Sequence, residues 1–228
     1  PYLGYFTEKR ARAYAAELKS ETGKDVDVRC VPAYSTLGWF DDPLLSSMLD
    51  PGPSGFGELA DTILHESFHA TLYIPNQSPF NEGAAEFVGE GLAREYLKAQ
   101  ESVHPGRLAA YEKGVARGLE YRAALKKLAG ELDQLYQSEI SDELKRSKKQ
   151  ALIQQFRTAQ GIKREINNAS LAQYLTYTRE SDSFSELFKK CGSDWRRFLS
   201  SLSRIRRESF REPQQETLSP ILSQVSCD

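Results

Sequence analysis

Apolar residues recur at helical spacing along most of the chain, each time opposite a charged face. Thr7 opens the first such stretch, which runs to about Thr22 with Tyr14, Leu18 and several alanines facing inward, and Gly23 stops it. The pattern then changes. Asp25 to Val31 alternates as a half-buried strand does, and the small and apolar residues between Pro32 and Met48 predict further short strands, with Leu44 to Met48 or Ser35 to Phe40 at a sheet edge. Leu59, Thr62, Ile63, Phe68 and Leu72 restore the helical period over Glu58 to Ile74, behind the Gly and Pro punctuation of residues 51–57. Ser78-Pro79 opens a second helix that ends near Gln100, and the short connection from Ile74 to Ser78 forces an antiparallel hairpin.

His104-Pro105-Gly106 breaks the chain before a long helix from Arg107 to about Gln137, with a seam of Leu108, Tyr111, Val115, Leu119, Leu125, Leu128, Leu132 and Leu135. Ser141 begins its partner, carrying Leu144, Leu152 and Phe156, so the pair forms an αα-hairpin. Asn167 to Leu175, Ser183 to Cys191 and Asp194 to Arg206 read as C-terminal helices, and the text beyond Glu208 is tail-like. These elements predict an α+β fold, mainly α-helical, in which a small sheet packs on the first helix hairpin. One domain over residues 1–228 is expected: an α/β part to residue 100, a helical hairpin over 107–160, C-terminal helices over 161–207 and a loose tail over 208–228.

Candidate chemistry concentrates in the first hairpin. His65-Glu66-Ser67-Phe68-His69 is an H-E-x-x-H sequence, and it holds two of the three histidines in the chain. Residues four apart share a helix face with Cβ atoms ~5–6 Å apart, so both imidazoles reach one metal ion. Glu66 lies ~100° further round, where a base for a metal-bound water belongs. The third ligand should come from the second helix, level with His69, which places Glu82 there and leaves Glu86, one turn on, to accept from a ligand histidine. Glu86 and Glu82 exchanging roles, or Glu86 and Glu90 as solvated charges, are the other assignments. His104 sits in the chain break as a surface residue.

Composition narrows the partners. With 30 basic against 32 acidic residues there is no electrostatic reason to expect nucleic acid, and no apolar run approaches the ~20 residues of a membrane span. Cys30, Cys191 and Cys227 fit no zinc knuckle; they are buried thiols, or one pair bridges where the compartment oxidises.

H-E-x-x-H followed by Asn81-Glu82 resembles the gluzincin metallopeptidases, in which the Glu after Asn is the third zinc ligand. Gly4-Tyr5-Phe6, the run from Val31 to Leu44, the histidine helix, Phe80-Asn81-Glu82, Asn167-Asn168-Ala169-x-Leu171-Ala172 leading to Thr176-Tyr177, and Gly192-x-Asp194-Trp195-x-x-Phe198 more closely resemble the bacterial "predicted aminopeptidase" family. The resemblance implies Zn2+ as cofactor, a peptide as substrate and hydrolysis from the amino terminus. It also implies an oxyanion donor at Tyr177 with support from Asn168, while Trp39, on the sheet edge to which an extended peptide would add a strand, and Tyr174, near Tyr177, are candidate substrate contacts; the tyrosines and Trp39 would serve equally as core residues. Family members carry a segment ahead of the part matched here, often with a lipoprotein signal, so a periplasmic or cell-envelope location with a possible tether before Pro1 is expected. Position 86 is usually not acidic in that pattern. No Gly-x-Met-Glu-Asn sequence is present to hold a substrate amine, which leaves an endopeptidase or oligopeptidase open, and a non-catalytic protein-binding module stapled by zinc is the rival from another class.

Overall fold

The computed structural model describes residues 3–31, 36, 43–176 and 181–227. All regular structure among them is helical, which corrects the α+β expectation: there is no strand and no small sheet among the described residues. Among the described residues the α-helices are α1 (Glu8–Thr22), α2 (Gly55–Thr71), α3 (Ser78–Ala99), α4 (Arg107–Gln137), α5 (Asp142–Gln160), α6 (Asn168–Thr176), α7 (Ser181–Lys190), α8 (Trp195–Leu202) and α9 (Ser219–Leu222). The chain divides into two compact units, residues 1–31 with 116–176, and residues 32–115 with 177–228.

In the first unit, Leu125, Leu128, Leu132 and Leu135 of α4 bury against Ile153 and Phe156 of α5, with Ile166 and Leu171 completing the core. Ser141 caps α5 by accepting from Leu144 N, as its position before the apolar period predicts. Residues 25–31, read as a strand from their alternation, are irregular here. Their groups are spent on helices instead. Asp25 Oδ2 accepts from Lys149 Nζ at 2.7 Å and from the Asn168 backbone N–H at 3.1 Å, and Asn167 Nδ2 donates to the Val26 carbonyl at 3.0 Å. An alternating segment becomes a strand only where a second strand pairs with it. The other proposed edge, Leu44 to Met48, contains a 3₁₀ turn at Ser46–Met48, and residues 32–35 and 37–42 lie outside the described residues.

The second unit is built on the α2–α3 hairpin. Phe68, Phe80, Ala84, Ala85 and Val88 form one wall of its core, and Phe184, Leu187, Phe198 and Leu202 form the other. Phe87, Phe188, Trp195 and Phe198 pack with ring centroids 4.3–5.8 Å apart. Gly91 makes room for this: a Cβ there would overlap the Trp195 ring. Burial of each such phenylalanine contributes ~1.5–3 kcal/mol. The tail-like segment is not loose. Leu218, Ile221 and Leu222 are buried, and Cys227 is disulfide-bonded to Cys191. Leu218 and, one helical turn later, the adjacent pair Ile221 and Leu222 suffice to dock a short helix in a segment that composition marked as polar.

Candidate metal centre

The centre is assembled by the α2–α3 hairpin, and the turn between the helices is fixed by one side chain. Asn81, 1% exposed, accepts from the Ile74 backbone N–H at 2.9 Å and donates to the Ile74 carbonyl at 2.8 Å. Both backbone groups of Ile74, in the connection between the helices, are thus bonded from the first turn of α3, whose next residue is Glu82. Gln77 extends the lock, donating to the Glu212 carbonyl at 2.7 Å and accepting from the Gln215 N–H at 3.0 Å. The C-terminal segment therefore braces the turn that places a ligand.

His65 and His69 lie one helical turn apart, their Nε2 atoms 3.1 Å from each other. Glu82 closes the triangle, with Oε2 3.5 Å from His65 Nε2 and Oε1 3.7 Å from His69 Nε2. All the donor atoms fall within 4.8 Å of one another. A tetrahedral ion with bonds of ~2.0–2.1 Å holds its ligand atoms ~3.3 Å apart, and the three separations bracket that edge. The donor set, two imidazoles and a carboxylate, suits zinc among common divalent metals, so the residues fit the implied ion. His69 Nδ1 is buried without a hydrogen-bond partner among the described residues, leaving the Nε2 side as the place where this ring is engaged.

Charge is balanced within the triad in a way a metal would replace. Burial opposes a charge on His65, but the Glu82 carboxylate hydrogen-bonded to it holds its pKa above the ordinary imidazole value. At Glu82 burial again works against charge, and the two histidines outweigh it, taking the pKa to about 2. A cation binding there must displace any proton carried by the ligand atoms.

Glu66 follows His65 on α2, is half-buried and adds to the negative potential at His65. Glu86 is half-buried on α3; it is not bonded to His69 Nδ1, and its charge is felt at Asp61. Asn168 belongs to the first unit, where its Oδ1 accepts from Tyr136 Oη at 2.8 Å. Tyr174 lies on α6 with its side chain outside the described residues, and Tyr177 and Trp39 lie outside them altogether. Two residues absent from the sequence-level site stand beside it. Asp61, one turn before His65, accepts from Tyr111 Oη at 2.9 Å, and burial raises its pKa to about 6. The spacing 61, 65, 69 was the available signal; Tyr111 reads only as one apolar position of the α4 seam.

A family model described as "Putative aminopeptidase" matches residues 1–218. The chain belongs to this family. The match runs through both units and includes the hairpin that brings His65, His69 and Glu82 together. Membership in the putative aminopeptidase family points to a peptidase. No curated protein and no solved structure gives a significant match.

Proposed function

We propose that the protein is a zinc-dependent peptidase that removes residues from the amino termini of peptides. The observation that carries this reading is the convergence of His65 Nε2, His69 Nε2 and Glu82 within bonding distance of one point. Zinc held there would supply Lewis acidity to a scissile carbonyl and acidity to a water. Glu66, beside the triad, takes the proton from the attacking water and delivers it to the leaving amine. Tyr177, carried over from the family resemblance, donates to the carbonyl oxygen as charge develops on it. Trp39 and Tyr174 are assigned to substrate contact and Glu86 to orienting a ligand.

The aminopeptidase reading within the peptidase class follows the family description. It is tested by mapping the cleavage products of a peptide library with free and blocked amino termini. Loss of single residues from free-amine peptides only is the expected result; internal cleavage of blocked peptides would make the enzyme an endopeptidase. Zinc bound at one per chain with no cleavage of any peptide would turn the hairpin into a structural staple and favour the protein-binding module. The Cys191–Cys227 bridge supports placing the protein in an oxidising compartment, the periplasm or cell envelope. Among the described residues no helix is long and apolar enough to cross a membrane.

A further inference from the structure

We propose that Asp61, held by Tyr111, is a counter-charge of the metal centre: a positioning residue that strengthens the hold of the His65, His69 and Glu82 triad on a divalent cation. The inference rests on the metal-centre reading above and adds a residue to it. Asp61, His65 and His69 form one stripe on α2, with ~5–6 Å between the Cβ atoms of successive members. The stripe is covered by α3 at its closest approach. A Cβ on residue 89 would stand 2.6 Å from Asp61 Oδ1 and 3.2 Å from His65 Cβ, so only glycine lets α3 lie over both residues.

The other carboxylate oxygen is held from a different direction. Tyr111, from the first turns of α4, is 1% exposed and donates to Asp61 Oδ2 at 2.9 Å. Residue 111 is itself fixed by contact with α2, because a Cβ on Gly57 would lie 2.6–2.7 Å from Tyr111 side-chain atoms. A neutral acceptor would also give this phenol a partner, though a weaker one than a carboxylate. A half-buried carboxylate costs free energy unless a cation offsets it. The cation on the Tyr111 side is already matched: Arg94 binds Glu112 at 2.8 Å and Glu90 at 3.1 Å. On the other side is a triad that brings one negative charge to a dication and so leaves one positive charge uncompensated. Two carboxylates outside the triad act on His65: Glu66, its neighbour in sequence, and Asp61, one helical turn away, which adds its charge to that of Glu66.

A structural partner for Tyr111 and a counter-charge for a metal respond oppositely to Asp61→Asn, which keeps an acceptor for the phenol and removes the charge. Zinc affinity is measured by competition with a chromophoric chelator, alongside the melting temperature of the metal-free protein. Asp61→Asn is expected to weaken zinc about 10-fold, at the lower end of the ~10–100-fold seen for groups that support metal ligands, while the metal-free melting temperature stays level or rises. Tyr111→Phe, which leaves the charge but not its tether, should weaken zinc less than Asp61→Asn. Unchanged zinc affinity in Asp61→Asn overturns the inference. So does a joint fall in affinity and metal-free melting temperature, which would make Asp61 a packing residue. Wild-type protein that binds no zinc in the same titration would overturn the metal-centre reading instead.

Discussion

Two polar clusters in this molecule are built from similar residues and do opposite things. In the first unit Asp25, Lys149, Asn167 and Asn168 meet, and each acceptor there has its donor: a lysine ammonium and a backbone N–H for the carboxylate, a tyrosine hydroxyl for the Asn168 amide oxygen. The Asn167 amide is spent in both directions, on the Val26 carbonyl and on the Ser170 N–H. In the second unit the Nε2 atoms of His65 and His69 and the Glu82 carboxylate converge within 4.8 Å of one another. A cluster whose donors and acceptors cancel is a clamp. A cluster with a surplus of acceptors is a site for a cation, and this surplus, more than the presence of polar residues, distinguishes the two.

The largest effect expected from breaking this contrast is on turnover. Glu66→Gln retains the shape of the side chain and the metal ligands but cannot accept the water proton, so zinc content should stay at one per chain while hydrolysis falls ~10²–10⁴-fold. Hydrolysis preserved in a zinc-loaded variant would remove Glu66 from the mechanism. Tyr177→Phe should cost ~10²–10³ in rate with zinc content intact; an unchanged rate would return that phenol to a packing role.

Ligand identity is the next contrast, read in metal retention. Glu82→Ala should release zinc at chelator concentrations that leave Glu86→Ala loaded, because loss of a direct ligand exceeds the ~10–100-fold cost of losing an orienting group. Equal retention would mean that Glu86 can take over the ligand position.

Comparable polar locks in the two units should then separate stability from metal binding. Asn81→Ala removes the acceptor of the Ile74 N–H, worth ~1–3 kcal/mol when buried, leaves the Ile74 carbonyl only its bond from the Gln77 N–H, and frees the turn that sets Glu82. Both denaturation midpoint and zinc affinity should fall. Asn167→Ala removes the Val26 tether in the first unit and should lower the midpoint with zinc affinity unchanged. A zinc effect as large in Asn167→Ala as in Asn81→Ala would erase the distinction between clamp and site.

These contrasts also explain what the sequence could and could not disclose. The histidine pair was legible because its geometry depends on one helix, and Glu82 because a six-residue connection leaves little freedom in how α3 returns. Asn81 carried a motif but not its reason, since the lock is made to a backbone group seven residues earlier. The segment from Asp25 to Val31 misled because alternation is local and strand pairing is not; its polar groups are claimed by helices more than a hundred residues away. Asp61 escaped notice because its partner, Tyr111, is 50 residues distant and looks apolar in a helical seam. The tail misled in composition, as three buried residues, Leu218, Ile221 and Leu222, are too few to set a period.

The smallest expected effect is a difference in the sign of two pH slopes, measured on metal-free protein. Asp25 is opposed by burial but held below its ordinary pKa by the Lys149 and Asn168 bonds. Its contribution to stability is therefore present above the unfolded value near 3.8 and lost as pH falls through the lowered folded value. Asp61 runs the other way, because burial raises its pKa from 3.8 to about 6. Folding is favoured by its neutral form, so its contribution is complete below about 3.8 and is lost as pH rises toward about 6. Thermal melts between these limits should show Asp61→Asn gaining stability relative to wild type as pH rises. Asp25→Asn should lose its disadvantage only at the acid end. If Asp61→Asn instead tracks wild type across the whole range, the Asp61 carboxyl is not held in an environment that disfavours its charge, and the metal-free centre is better solvated than its packing under Gly89 implies.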